Sequence, residues 1–259
     1  MGILNATPDS FYDGGRYLAP EATLAHARQL LDEGADIIDL GVASSRPGAQ
    51  MLTPEEEASR LVPLVRMLRH ELPADAILSV DTCWSLPARQ AVEAGADIIN
   101  DISGGQLDAM MFPTVATLQV PYVLMHMRGT PATMQLPENT CYGDIVEDLT
   151  AYFDYKLDKL YQLGVRDVIL DPGFGFAKTL QQNHELLRRL DELVAAFPDR
   201  PLLSALSNKS MITQVVGRQP EDSESGTTVF NTLSLLNGAR LLRVHSPRAA
   251  KVAVNLLFN

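Results

Sequence analysis

The stretch "LLDEGADIIDLG" (residues 30–41) predicts the end of a helix, a tight turn and a buried strand. Its glycine suits a left-handed helix C-cap, and the run that follows is apolar on both faces, as in a parallel sheet covered on both sides. The same order recurs in "AVEAGADIIND" (91–101), "LYQLGVRDVILD" (160–171) and "SLLNGARLL" (234–242). Repeated helix, glycine and strand predict an α/β fold with parallel strands.

Eight short apolar runs can be counted, and helical sequence follows each of them. They occupy residues 1–7, 35–41, 76–82, 96–103, 121–127, 167–173, 201–207 and 239–245. Eight such units in 259 residues match the usual size of a (β/α)8 barrel, and no GxGxxG fingerprint indicates a dinucleotide-binding open sheet. We therefore predict an α/β fold, a single (β/α)8 TIM barrel, with residues 1–259 as one domain.

The composition limits the possible partners. A net charge of -11 argues against duplex nucleic acid, which needs a basic face. No apolar run approaches the ~20 residues of a membrane span, so we expect no membrane partner. The two cysteines, Cys83 and Cys141, have no metal-ligand spacing and suit a reducing compartment. A cytoplasmic location is expected.

Polar residues gather where the predicted strands end, and in a barrel these ends meet at one mouth, where active sites lie. In chain order they are Asn5 and Thr7; Ser44, Ser45 and Arg46; Asp81; Asn100 and Asp101; His126; Asp171; Ser207, Asn208 and Lys209; Arg243 and His245. A single polar residue in such a place can equally cap the next helix. For Asp101, Thr82 and Ser103 we expect capping or turn formation.

The remaining side chains form two chemical groups. The cations Arg46, Lys209, Arg243 and His245 suit phosphate or carboxylate oxygens. Asp81, Asn100 and Asp171 suit a flat heterocycle that carries N–H donors. The sequence thus predicts a site with one half for an NH-rich ring and another for an anion.

Nine blocks of the sequence, in order along the chain, resemble the dihydropteroate synthases, the folate-pathway family that sulfonamides inhibit. The blocks are "MGILNATPDSFYDGG", "SSRPGA", "SVDT", "AGADIINDISGG", "VLMHMRGTPATMQ", "DPGFGFAKT", "SNKSMI", "GT" at 226–227 and "RVH". The resemblance implies a (β/α)8 barrel that joins 4-aminobenzoate to 6-hydroxymethyl-7,8-dihydropterin pyrophosphate, with Mg²⁺ as cofactor and by an SN1-like course. It also implies a homodimer that meets through the last two helices.

The resemblance further implies roles for individual residues. The pterin would be bound by Asp81, Asn100, Met125, Asp171, Lys209 and Arg243, of which Asp81, Asp171, Lys209 and Arg243 would be catalytic. The pyrophosphate would be bound by Asn5, Arg46, Arg243 and His245, and Mg²⁺ by Asn5 and Asp13. The aminobenzoate would be bound by Phe11, Ser45, Arg46, Pro47 and Ser210.

The glycines and the lysine of "DPGFGFAKT" look like those of a phosphate-binding loop. The resemblance implies instead that this loop binds the pterin. Asp171 is expected to orient the pterin and stabilise positive charge there, not to act as a general base. Gly173 and Gly175 are expected to turn the backbone, and Phe174 or Phe176 to form a wall of the ring pocket. Lys178 is expected at the surface or at a helix start.

The sequence departs from the family pattern at four positions, and two other functions stay open. Ala43 stands where the family has an acidic residue, Ser45 where it has a threonine, Asn208 where it has an arginine, and Ser246 where it has an aspartate. One alternative is a folate-dependent methyltransferase domain, which needs no pyrophosphate cluster, so Arg46 together with His245 discriminates against it. The other is a non-catalytic paralogue that only binds pterin.

Overall fold

Eight parallel strands form the centre of the part of the chain that the structure describes. The computed structural model describes residues 1–6, 20–43, 51–217 and 219–258. The strands are β1 (Gly2–Asn5), β2 (Ile37–Gly41), β3 (Ile77–Asp81), β4 (Ile98–Asp101), β5 (Tyr122–Met125), β6 (Val168–Asp171), β7 (Leu203–Ser204) and β8 (Leu241–Leu242). The first six pair in sequence order, and β7 pairs with β8. Two further parallel bridges, Leu170 with Leu202 and Gly2 with Val244, complete the ring, as predicted for a barrel.

Helices follow the strands as the sequence predicts. They are α1 (Pro20–Asp32), α2 (Pro54–Glu71), α3 (Ser85–Glu93), α4 (Met111–Leu118), α5 (Ile145–Gln162), α6 (Leu180–Arg188), α7 (Leu190–Ala196), α8 (Ser210–Val216), α9 (Pro220–Leu236) and α10 (Pro247–Phe258), with a short 3-10 helix at Pro137–Asn139. The four junction glycines, Gly34, Gly95, Gly164 and Gly238, all have φ between +85° and +113°. This confirms the predicted left-handed C-caps. Among the described residues, none of the helices has the length and apolarity to cross a membrane.

The core has an outer layer and an inner layer. The outer layer packs the helices on the sheet and includes Leu40, Ile99, Leu124 and Leu170. The inner layer fills the barrel with residues of alternate position in the strands, among them Ile98, Val123, Ile169 and Leu203. Because strand side chains alternate between faces, Asn100 and Asp171 share the inner face with Ile98 and Ile169.

Candidate active site

The interior of the barrel holds a buried carboxylate, Asp39, in the middle of β2. It accepts hydrogen bonds from Ser79 Oγ (2.6 Å), Asn100 Nδ2 (3.0 Å) and Arg243 Nε (2.6 Å). Arg243 follows β8, and β1 lies between β8 and β2, so this contact runs through the barrel interior. Asp39 therefore ties three other parts of the barrel wall to one point.

Asp81, at the end of β3, belongs to the same network. The Nη2 atom of Arg243 donates to Asp81 Oδ2 at 2.7 Å, so one guanidinium bridges two carboxylates. Burial raises the pKa of Asp81, and the positive charge of Arg243 opposes that rise. Three predicted pterin residues, Asp81, Asn100 and Arg243, are thus brought together around Asp39.

Asp171 and Lys209 approach this cluster from β6 and from the loop after β7. Asp171 is buried, and its Oδ1 accepts the Gly173 N–H at 2.7 Å. Burial raises the pKa of Asp171, while Lys209 lowers it; burial in turn lowers the pKa of Lys209 to about 8 against the raising effects of Asp171 and Asp81. Met125 pairs with Asp171 across the β5–β6 ladder and is buried. These residues form the remaining part of the predicted pterin set.

The predicted anion and aminobenzoate residues lie nearer to solvent where the structure describes them. Asn5 is exposed at the end of β1, and Ser210 is exposed as the first residue of α8. His245 is exposed too, with Nδ1 2.9 Å from Ser207 Oγ. The predicted residues Phe11, Asp13, Ser45, Arg46 and Pro47 lie outside the described residues.

Asp101 and Thr82 make turns, as the sequence predicts. Asp101 is adjacent to Asn100 but faces the opposite side of β4, where it accepts from the Ser103 N–H (2.7 Å), the Gly105 N–H (2.8 Å) and the Tyr122 hydroxyl (2.6 Å). Thr82 Oγ1 accepts the Trp84 N–H at 3.2 Å. Both residues shape the loops beside the site and stay outside the polar interior.

Lys178, in the loop after β6, is predicted to lie at the surface or at a helix start; the surface position is wrong, and the helix start is right, since the next residue, Thr179, is the N-cap of α6. Only 2% of Lys178 is exposed, because the loop folds around its ammonium group. Phe174 is fully buried in the outer core, so it forms no wall of the site. Phe176 packs beside Met125 and Met127, and its ring centroid is 4.7 Å from Lys209 Nζ. Of the two aromatic residues, Phe176 is therefore the one that faces the site.

Asp39 is the main site residue that the sequence reasoning missed. A signal was available, since Asp39 interrupts the apolar run "DIIDLG", whose other acidic residue stands at the start of the strand. A charge inside a strand that is apolar on both faces must be buried and paired. Its partners, however, come from strands far away in the sequence.

The side chains of this cluster can bind a planar, polar ring. Carboxylate and amide oxygens at the ends of β3, β4 and β6 can accept N–H groups of a planar ring, while Lys209 can donate to a ring carbonyl or nitrogen. Low exposure strengthens such bonds because water does not compete. The fold and the cluster define a (β/α)8 barrel with a site for a polar heterocycle at the carboxyl ends of its strands.

The chain belongs to the family of pterin binding enzymes, whose family model matches residues 1–245. It is 41% identical to the dihydropteroate synthase of Synechocystis sp. over 252 residues, 96% of this chain and 85% of that protein. It is also 41% identical to Folic acid synthesis protein fol1 of Schizosaccharomyces pombe over 99% of this chain, but it spans only 35% of that protein's length.

Solved structures agree with the fold. Xanthomonas albilineans dihydropteroate synthase with 4-aminobenzoic acid is 36% identical and superimposes with a TM-score of 0.89. The match covers 99% of this chain and 90% of the other. The predicted barrel and the predicted family are both confirmed.

Proposed function

We propose that this chain is a dihydropteroate synthase, an enzyme that transfers an alkyl or aryl group in folate biosynthesis. It would condense 6-hydroxymethyl-7,8-dihydropterin pyrophosphate with 4-aminobenzoate to give 7,8-dihydropteroate and pyrophosphate. The observation that carries the proposal is the group of Asp81, Asn100, Asp171 and Lys209 at or just after the carboxyl ends of four strands, in which Asn100 and Asp171 are buried and Asp81 and Lys209 are half-buried. An NH-rich ring would satisfy these oxygens, which explains why they are kept in a barrel interior.

The residues suit a reaction in which the leaving group departs first. The C–O bond to pyrophosphate would break while Asp81 and Asp171 stabilise positive charge on the pterin methylene. The amine of 4-aminobenzoate would then form the C–N bond and release a proton. Arg46 and His245 would bind the departing pyrophosphate, while Phe11, Ser45, Pro47 and Ser210 would hold the aminobenzoate. No nucleophilic side chain is needed.

Mg²⁺ is the proposed cofactor, with Asn5 and Asp13 as its protein contacts. Asn5 fits such a role, since its exposed amide oxygen is the kind of hard ligand that Mg²⁺ accepts. Gly41 has no side chain, so a gap the size of a methyl group lies next to Asn5. A Cβ placed in that gap would be 3.7 Å from Asn5 Oδ1 and 3.4 Å from Asp81 Cβ. When bound, Mg²⁺ would neutralise charge on the leaving pyrophosphate.

The activity is tested with purified protein, the pterin pyrophosphate, 4-aminobenzoate and Mg²⁺, with dihydropteroate separated and quantified by chromatography. We expect product formation that depends on both substrates. Pterin binding without product would instead indicate the non-catalytic paralogue. Methyl transfer from a methylated reduced folate to an acceptor, with no dihydropteroate formed from the pyrophosphate, would indicate the methyltransferase alternative.

The central residue of the proposal is tested by Asp171→Asn. This change removes the negative charge but keeps an acceptor for the Gly173 N–H, so we expect a loss of about 2 to 4 kcal/mol in transition-state stabilisation. Asp167→Asn is the matched control, because Asp167 is exposed next to the opposite end of the same strand. Near-wild-type kcat/KM in Asp171→Asn would contradict the assigned role.

We propose further that the chain is a cytoplasmic homodimer and that residues 1–259 form one domain. Exposed apolar side chains on α9 and α10, the last two helices, support the dimer: Val229, Leu233, Leu236, Val252, Leu256 and Phe258. On α9 the first three lie at i, i+4 and i+7, which is one face of a helix. A second copy of the chain would cover this surface, which we call the α9–α10 face.

A further inference from the structure

Lys178 is a buried cation whose surroundings are made almost entirely by its own loop. Its Nζ donates to the carbonyls of Gly173 (3.0 Å) and Phe176 (3.1 Å), and it lies 3.0 Å from His126 Nδ1. An ammonium has three N–H donors, so all three are used. Among the described residues, Lys178 forms no salt bridge with a carboxylate.

His126 completes this arrangement from the end of β5. With the Lys178 ammonium as the donor to Nδ1, the neutral ring carries its proton on Nε2, which has no partner within the described part of the chain. Burial and the charge of Lys178 lower the pKa of His126 well below its usual value.

The loop that Lys178 holds also positions two residues of the proposed pterin site. Asp171 begins this loop and accepts the Gly173 N–H. The carbonyl of Phe174 accepts a hydrogen bond from Lys209, whose ammonium also lies over the Phe176 ring. Lys178 binds the carbonyls of Gly173 and Phe176, on either side of the Phe174 carbonyl. Displacing the loop would therefore displace both Asp171 and Lys209.

We propose that Lys178 is a positioning residue for the pterin site, which fixes this loop from inside and with it Asp171 and Lys209. The proposal rests on the pterin-binding role assigned above. A buried ammonium costs free energy unless its N–H groups are paired, and here three acceptors pair them. Burial still lowers the pKa of Lys178 well below its usual value, and the charge of Asp171 opposes that fall. The charged or titratable groups that face it are Asp171, His126, Arg128 and Lys209.

The test compares Lys178→Met with wild-type protein, using the pterin pyrophosphate alone as the ligand in calorimetric titrations. We expect affinity to fall by about 10- to 100-fold because the loop loses its internal contacts. After burial, Lys209, the Gly173 hydrogen bond and Arg243, the charge of Lys178 also acts on the pKa of Asp171 and lowers it. Removing that charge should therefore shift the acidic limb of the pH dependence of pterin affinity to higher pH. A loss of global stability that leaves the loop in place would not move this limb.

Lys156→Met is the matched control. Lys156 is also buried and donates to a loop carbonyl, that of Gly104 at 2.8 Å, but it lies on α5 outside the site. The control should lose stability with the acidic limb unchanged. Wild-type affinity and an unmoved limb in Lys178→Met would overturn the proposal.

Two further outcomes keep the test decisive. If Lys178→Met does not fold, Lys178→Arg decides, since a planar guanidinium cannot match three acceptors around one point, and affinity should still fall about 10-fold. Wild-type affinity in that variant would also overturn the proposal. If Asp171→Asn loses activity and Lys178→Met keeps it, the positioning role of Lys178 is wrong but the pterin site is correctly assigned. If both variants keep activity, the pterin site itself is wrongly assigned.

Discussion

At the scale of single residues, Asp39 orders the site most, because its carboxylate accepts hydrogen bonds from three side chains of the barrel interior. We predict that Asp39→Asn lowers the free energy of unfolding by roughly 3–5 kcal/mol, because a half-buried Arg243 loses a charged partner. An asparagine would also turn an N–H₂ group toward at least one of the donors Ser79, Asn100 and Arg243. Urea unfolding measures the change, and pterin affinity should fall with it.

Asp36→Asn is the control for this measurement. Asp36 stands just before the same strand, but its side chain is 73% exposed and pairs with Lys251 at 2.9 Å. An exposed ion pair contributes about 1 kcal/mol or less. If the two variants lose similar stability, the network around Asp39 is not what holds the barrel interior together.

At the scale of elements, the loop after β6 depends on a glycine that sits against the end of β5. Gly173 has φ +68°, and a Cβ there would lie 2.1 Å from the His126 carbonyl oxygen. Gly173→Ala should therefore combine backbone strain with a displacement of the loop, lower stability by at least about 2 kcal/mol and reduce kcat/KM. Thermal unfolding and steady-state kinetics measure the two effects.

Gly164→Ala separates the two contributions. Gly164 has φ +85° at the end of α5, but a Cβ there would meet nothing within 4 Å. The Gly164→Ala variant should lose roughly 1 kcal/mol in the free energy of unfolding through backbone strain alone, with kcat/KM unchanged. Equal effects of the two substitutions would mean that close contact with β5 does not position the loop.

The elements were predictable from the sequence, and part of the site was not. The eight strands and the four C-cap glycines follow from residues that are neighbours in the chain. Asp39 meets Arg243 at a separation of 204 residues, and Lys178 meets His126 at a separation of 52. Lysine is usually exposed, so only the folded arrangement of the loop carbonyls shows that Lys178 is buried.

At the scale of the whole molecule, the α9–α10 face should hold two copies of the chain together. Leu256 on α10 is 80% exposed, and Leu236 on α9 is 64% exposed, although both are large and apolar. Apolar surface gathered on adjacent helices marks an interaction site more often than a solvent face. We therefore predict a dimer for the wild-type chain in sedimentation velocity at micromolar concentration.

Leu256→Glu should weaken this dimer at least ~30-fold, because a central apolar contact typically contributes about 2 kcal/mol and the glutamates of two copies would repel each other. Folding should be unaffected, since Leu256 is already exposed. Leu163→Glu is the control, as Leu163 is 44% exposed at the end of α5, outside the α9–α10 face. A monomeric wild-type chain, or equal dissociation by both variants, would contradict this surface as the interface.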